Sequence, residues 1–426
     1  MNRKPKTKGQ PMLNPKIKLI AASACALLMS ACGGGKTTEP VKAGPSAQSA
    51  PLTPATKIAQ EKFIKAAAEF KESQKTGTPD YASLENQFRD VVKTDPSFAE
   101  AYYDLGVIAE KQNKPDEAMK NYQSALKANP KYAPAVQNQA VLLVAQGKED
   151  DAMRMLESFI KEEPAAAGPK VQLAQLYQAR KRYDEAENQC RAALQREPKN
   201  LPAFETLAMV YVDDGNRPMA KLVAARGFKV DDKSAALHYT IGRIYLQENK
   251  IPEAVAEMKA ALAARPSFRP ARVDLAEVSL QYRDFGNAKT YFGDLVKADS
   301  KDEPSWIGLG IANKGLGQYE EAKAAYNTVL ASDPKNSVAL LDMAILYHRH
   351  LNDFATAVKY YQSYLEHPAD DGPKVEQVKG WVNELEQTIA ALKEAEKLQQ
   401  MEDAKVKEQP ARDATPASGP TDAPTK

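Results

Sequence analysis

Histidine and cysteine are the residue types here best suited to metal binding or nucleophilic catalysis, and they are few. The 426 residues include four histidines and three cysteines. His348 and His350 are two residues apart, which on a helix directs them nearly opposite ways, whereas zinc ligands on a helix need a spacing of three or four and further ligands. No Ser-His-Asp or Cys-His arrangement can be argued. We therefore predict no enzyme, no metal and no cofactor, with the histidines in solvated or capping roles.

Two other features could suggest chemistry and do not support it. Gly308, Gly310, Gly315 and Gly317 resemble a phosphate-binding loop, but no Gly-Lys-Ser/Thr follows them and no strand precedes them. The chain has 58 basic and 56 acidic residues, a net charge of +2. This balance argues against nucleic acid, which needs a basic face. We predict neither a nucleic-acid partner nor a small-molecule substrate.

The first 31 residues have the composition of a secretory signal. They carry six basic and no acidic residues, and a 13-residue apolar run from Leu19 ends at Ala31, directly before Cys32. That run is too short for an ordinary membrane span. Without residues 1–31, the remaining 52 basic and 56 acidic residues give −4. Translation from either Met1 or Met12 fits this pattern.

Small residues followed at once by Cys32 resemble a bacterial lipobox. The resemblance implies that residues 1–31 are removed, that Cys32 is diacylated, and that the protein is anchored in the cell envelope. Gly33, which is not Asp, points to the outer membrane facing the periplasm under the enterobacterial sorting rule, with the inner membrane left open. The alternative is a plain signal peptide with an incidental cysteine.

A repeat of 34 residues dominates the rest of the chain. Prolines recur at multiples of 34, and the eighth and twentieth positions of each unit are small. The fourth, seventh, eleventh and twenty-fourth positions are mostly large, and the spacings of three and four among the first three of these put them on one helical face. The prolines are Pro96, Pro130, Pro164, Pro198, Pro266 and Pro334; the small residues include Gly106, Ala140, Gly310, Ala118, Ala152 and Ala322.

This pattern resembles the tetratricopeptide repeat (TPR). Eight units cover residues 99–371, the last with an inserted residue, and a degenerate unit covers 58–98. The resemblance implies an all-α fold, a TPR α-solenoid in which antiparallel helix pairs form a right-handed superhelix. A fold of this class works through its surface, so protein partners are expected.

The segments around the repeats are of three kinds. Residues 32–57, rich in Gly, Thr, Ser, Pro, Ala and Lys, read as a flexible tether from the lipid. Residues 374–398 form an apolar heptad pattern, which predicts either a helix that caps the last unit or a dimerising coiled coil. Residues 399–426 have the composition of a disordered tail.

The resemblance also implies where partners bind. In TPR proteins the first helix of each unit lines a concave groove with its second, fifth, ninth and twelfth positions, and here these positions are unusually apolar. An exposed apolar strip predicts a protein-binding site for a peptide or amphipathic helix; the alternative is that these side chains pack against the next unit. The candidate groove residues are Tyr103, Val107, Val141, Val144, Val171, Met209, Val212, Tyr239, Leu246, Val273, Leu280, Ile307, Ile311, Leu341 and Ile345.

Two functions fit this organisation. The first is an outer-membrane-anchored periplasmic scaffold for an envelope-spanning complex, and the arrangement resembles the TPR lipoproteins of myxobacterial adventurous gliding motility. The second is a pilotin-like assembly factor for a secretin or other outer-membrane protein. If the strip is exposed, Val144→Asp with Val212→Asp should abolish partner binding and leave stability nearly unchanged.

Overall fold

The computed structural model describes residues 54–77, 79–368 and 372–408, and these consist of nineteen α-helices and one π-helical turn. The predicted signal, Cys32, most of the tether and the end of the tail lie outside the described residues. The helices are α1 Pro54–Thr76, α2 Tyr81–Thr94, α3 Ala99–Lys111, α4 Pro115–Ala128, α5 Ala133–Ala145, α6 Glu149–Glu162, α7 Ala167–Ala179, α8 Tyr183–Arg196, α9 Leu201–Asp213, α10 Arg217–Phe228, α11 Ala235–Gln247, α12 Ile251–Ala264, α13 Arg269–Gln281, α14 Phe285–Ala298, α15 Glu303–Gly315, α16 Tyr319–Ser332, α17 Ser337–Leu346, α18 Phe354–Glu366 and α19 Pro373–Glu408.

The described helices are of the expected class, an all-α TPR solenoid. From α3 to α18 they alternate between the first helix of a unit, called here the A helix, and the second, the B helix. The chain comprises two compact units, one that ends at Asp274 and one that begins at Leu275, with the boundary inside α13. The N-terminal unit holds α1–α12, and the C-terminal unit holds α14–α19.

Small residues let the two helices of each pair approach closely. A Cβ added to Gly106 of α3 would lie 2.3 Å from the Tyr122 ring of α4, and one added to Gly310 of α15 would lie 2.4 Å from the Tyr326 ring of α16. Ala118 and Ala322, at the twentieth position, are fully buried. The eighth position of an A helix therefore receives the aromatic side chain from the twenty-fourth position of its B helix, and a larger residue would overpack this contact.

A residue in the left-handed conformation follows each A helix and reverses the chain. The eight residues with positive φ at this position in the described units are Asn113, Gly147, Lys181, Gly215, Asn249, Arg283, Gly317 and Asn352. Glycine and asparagine tolerate this conformation, while a lysine or arginine in it costs about 1 kcal/mol or more.

The structure differs from the predicted boundaries at two places, and it shows how the inserted residue of the eighth unit is accommodated. Helix α1 begins at Pro54, so residues 54–57 are helical and do not belong to the tether. Helix α19 continues to Glu408, so the predicted disordered tail does not begin at 399. The inserted residue of the eighth unit widens the end of its A helix into a π-helical turn, Tyr347–Leu351, which absorbs one extra residue without breaking the helix.

Helix α19 covers the end of the C-terminal unit with its first half. Val378, Val382 and Leu385 are buried against a cluster that includes Tyr361 of α18 and Leu340 of α17. Residues 391–404 are all exposed. The packed part of α19 therefore acts as a cap for the last repeat, as the first of the two interpretations of the heptad pattern expects.

Candidate protein-binding face

The predicted groove residues occupy the fifth, ninth and twelfth positions of the A helices, a surface called here the A-helix face. The structure corrects the expectation that they form an exposed strip. Six are buried, and the other nine are half-buried. The buried ones are Val144, Val171, Met209, Val212, Tyr239 and Ile307; the half-buried ones are Tyr103, Val107, Val141, Leu246, Val273, Leu280, Ile311, Leu341 and Ile345.

The reason for this burial lies in the packing of one A helix on the next. Within the N-terminal unit, α5 contacts α7, α7 contacts α9, and α9 contacts α11. Val212 is 0% exposed and Val144 is 6% exposed. Neighbouring A helices therefore cover these valines, which belong to the core, and only the half-buried side chains remain available to a partner.

Charged side chains of the A-helix face are mostly paired across successive helices. Arg243 of α11 lies 3.9 Å from Asp213 of α9 and 4.0 Å from Asp274 of α13, and its Nη1 donates to the Tyr239 hydroxyl at 3.2 Å. Gln178 of α7 donates to Asp213 at 2.6 Å. In the C-terminal unit, Lys314 pairs with Asp342 at 2.7 Å. Burial raises the pKa of the Asp274 carboxyl, and the nearby Arg243 charge partly offsets that effect.

The first A helix differs, because its carboxyls have no such partner. Among the described residues Asp104 forms no ion pair or hydrogen bond, and no basic group acts on its pKa. Desolvation, followed by the Glu100 charge, raises the pKa of Asp104 to about 7. Asp104 is not among the predicted groove residues because it stands at the sixth position of its unit, outside the positions that line the groove in TPR proteins. One cue was available, since Glu100 and Asp104 are like charges one helical turn apart.

Three tyrosine rings pack together beside α3. Tyr103 packs against Tyr132 and Tyr122, with ring centroids 5.6 Å apart in both pairs. Asn138 Nδ2 donates to the hydroxyl of Tyr122 at 2.9 Å and to that of Tyr103 at 3.4 Å. Burial, and after it the charges of Asp104 and Glu100, raises the pKa of Tyr132.

The residues suited to catalysis or metal binding have structural contacts instead. His348 Nδ1 lies 3.1 Å from the Tyr361 hydroxyl, and His238 Nδ1 lies 2.7 Å from Glu257 Oε2. Cys190 is fully buried, and burial raises the pKa of its thiol to about 12. Within the described ranges, His, Cys, Asp and Glu form no group of three that could hold a metal ion. None of the helices in those ranges has the length and apolar character of a membrane span.

Family models place the chain among TPR proteins. A model described as the N-terminal TPR repeats region of Psidin matches residues 103–266, and two models described as tetratricopeptide repeat match residues 239–304 and 315–382. With the observed helix pairs, these matches identify the chain as a tetratricopeptide-repeat protein.

Individual relatives are distant. Protein O-mannosyl-transferase Tmtc3 of Drosophila melanogaster is 23% identical over 163 residues, which is 37% of this chain and 17% of that protein. The Cut9-Hcn1 hetero-tetramer of the APC/C has a chain that is 14% identical, with a TM-score of 0.49, covering 71% of this chain and 59% of that one. The structure of Pseudomonas aeruginosa pilF is 20% identical, with a TM-score of 0.43, covering 51% of this chain and 98% of that one. The chain thus spans less than two thirds of the first two relatives, and likeness at this level says nothing of function.

Proposed function

We propose that this protein is a periplasmic TPR scaffold, held at the outer membrane by a lipid on Cys32, that binds protein partners in an envelope-spanning complex. The observation that carries the proposal is the A-helix face, which has half-buried apolar side chains, such as Tyr103 on α3 and Leu246 on α11, and also paired charges, such as Arg243 with Asp274. A partly covered apolar surface with polar groups around it is typical of protein-binding sites.

The envelope location rests on the sequence. A basic start, a short apolar run and small residues before Cys32 support export and lipidation, and two acyl chains would hold the protein firmly. The combination of lipobox, tether and long repeat domain supports a role in a machine that couples the inner membrane to the cell surface. Gliding motility is the particular process that we propose.

The scaffold function is tested by crosslinking in the cell from the A-helix face. We expect a photoreactive residue at Leu246, which is half-buried on α11, to capture a protein partner at a constant level throughout growth. The matched control is the same residue at Lys259, exposed on the B helix α12, which should capture none. Equal capture at both positions would contradict a role for the A-helix face. Capture of an outer-membrane client only during its synthesis would replace the scaffold with a pilotin-like assembly factor.

The anchor is tested separately. Because the lipid attaches through the sulfur of Cys32, we expect Cys32→Ser to leave an unlipidated protein that no longer fractionates with membranes. Cys25→Ser is the matched control, and its product should remain in the membrane fraction. Membrane fractionation of the Cys32→Ser protein at the normal level would rule out the lipid anchor.

A further inference from the structure

His348 connects the π-helical turn of the last repeat to the cap formed by α19. Its ring lies nearly perpendicular to the rings of Tyr361 on α18 and Trp381 on α19, with centroids 5.9 Å and 6.3 Å away. The histidine itself is half-buried. One titratable side chain therefore contacts both helices that close the C-terminal unit.

The hydrogen bond between His348 and Tyr361 favours an uncharged histidine. His348 Nδ1 lies 3.1 Å from the Tyr361 hydroxyl, and Tyr361 is 0% exposed. In a neutral ring Nδ1 can accept the hydroxyl hydrogen while Nε2 carries the ring proton. A protonated ring has a hydrogen on both nitrogens, so the hydroxyl would have to accept. Its own hydrogen would then have no acceptor among the described residues, and a buried donor left in this way is costly.

The charges around His348 also oppose its protonation. The Arg349 guanidinium, on the same turn, lies 5.1 Å from the Trp381 ring centroid, and the Lys374 ammonium lies 5.2 Å from it. A charged His348 would add a third cation around this one ring. Burial first, and then the Arg349 charge, lower the pKa of His348, and the Glu384 carboxylate partly offsets them.

We propose that His348 is an acid-sensitive latch for the cap: the neutral ring holds α19 on the last repeat, and its protonation loosens α19 and exposes the apolar end of the C-terminal unit. The charged and titratable groups around it are Arg349 on its own turn, Tyr361 on α18, and Lys374 and Glu384 on α19. Burial raises the pKa of Tyr361 to about 12, so its hydroxyl stays protonated while His348 titrates.

The direction of the pH effect follows from the lowered pKa of His348. An unfolded histidine has a pKa of 6.5, and the folded value lies below it. The stabilisation by neutral His348 is therefore fully present above pH 6.5, and it is lost as the pH falls through that value towards the folded pKa. This device lies within the chain itself, so it does not depend on the proposed anchor or on the scaffold function.

The titration of His348 is measured by NMR of the full-length chain labelled with carbon-13 at the histidine Cε1 atoms, with His348→Asn used to assign the signal. We expect a midpoint below 6.5. Arg349→Gln removes an opposing cation and should raise the midpoint, whereas Glu384→Gln removes a favourable carboxylate and should lower it. Both side chains are exposed, so the fold should tolerate these changes. A midpoint at or above 6.5, or one that neither variant moves, would overturn the proposal.

Loosening of the cap is measured by the fluorescence of Trp381 during urea unfolding, in a Trp306→Phe background that leaves one tryptophan. We expect the urea midpoint of this signal to be lower at pH 5.5 than at pH 7.5. The equilibrium constant for opening should rise by up to about tenfold for each unit by which the His348 pKa lies below that of a free histidine. His348→Asn keeps an acceptor near the Nδ1 position and cannot take up a proton, so its pH response should be smaller.

The matched control is His350→Asn. His350 lies on the same turn, and its ring packs on Tyr319 of α16 with centroids 5.0 Å apart. This variant should keep the wild-type pH response of Trp381. If His348→Asn destabilises the cap at both pH values, the surface variants decide, since Arg349→Gln should reduce the response and Glu384→Gln should enlarge it. A response of equal size in the wild type and in all of these variants would show that His348 is not the latch.

Discussion

Val212→Asp should unfold much of the N-terminal unit and not merely weaken partner binding. Val212 is 0% exposed in α9, a helix that contacts the A helices on both sides, α7 and α11. A carboxylate placed there has no partner and loses its water, which costs about 3–5 kcal/mol. This is a large share of the roughly 5–15 kcal/mol that holds a typical domain together. In a repeat protein each unit depends on its neighbours, so the loss spreads along the helices.

Urea unfolding followed by far-UV circular dichroism measures the effect, with a lower midpoint expected for Val212→Asp. The matched control is Leu222→Asp, since Leu222 is 47% exposed on α10 in the same unit. Its change should stay within about 0.5 kcal/mol. Val144→Asp should resemble Val212→Asp, because Val144 is also buried. If Val212→Asp left the stability unchanged, the exposed apolar strip would be the correct interpretation. The variant with both Val144→Asp and Val212→Asp should then lose partner binding and keep its stability.

The repeat could be recognised from the sequence because its constraints lie within one helix pair. Small residues at the eighth and twentieth positions, such as Gly106 and Ala118, indicate the close approach of the A and B helices, and this contact recurs in every unit. Whether Val212 lies in the groove or in the core depends instead on how one A helix packs on the next. The sequence places Val212 and Leu246 at the same helix position, yet the structure buries the first and leaves the second half-buried.

The parts that sequence reasoning missed are departures from the repeat. Asp104 differs from the residues at the same position of the other A helices, which are either uncharged or, like Asp274 and Asp342, paired with a basic side chain. That comparison needs the structure. The extra residue near Asn352 was visible as an insertion, but its conversion into a π-helical turn depends on the packing of α17 against α18. Lys181 and Arg283 in the left-handed conformation are likewise imposed by the hairpin geometry and not by their own preference.

Val378→Asp should detach α19 from the C-terminal unit, because the cap and the last repeat share one core. Val378 is 0% exposed, within the cluster that holds Tyr361 and Leu340. A buried aspartate at this site should cost about 3–5 kcal/mol and expose the apolar end of the last repeat. Trp381 reports the change, since its ring packs on Tyr361 with centroids 5.6 Å apart and lies 5.1 Å from the Arg349 guanidinium.

The measurement is tryptophan fluorescence during urea unfolding in a Trp306→Phe background, which leaves Trp381 as the sole tryptophan of the chain. Val378→Asp should shift the native emission to longer wavelength and lower the unfolding midpoint. Leu392→Asp, 56% exposed on the same helix, should alter neither. In the coiled-coil interpretation Leu392 would lie in a dimer seam along α19, so Leu392→Asp should disrupt a dimer. If light scattering shows that the wild type is a dimer and that Leu392→Asp is a monomer, the coiled coil is favoured. If Leu392→Asp leaves the mass unchanged while Val378→Asp detaches the cap, α19 belongs to the solenoid itself.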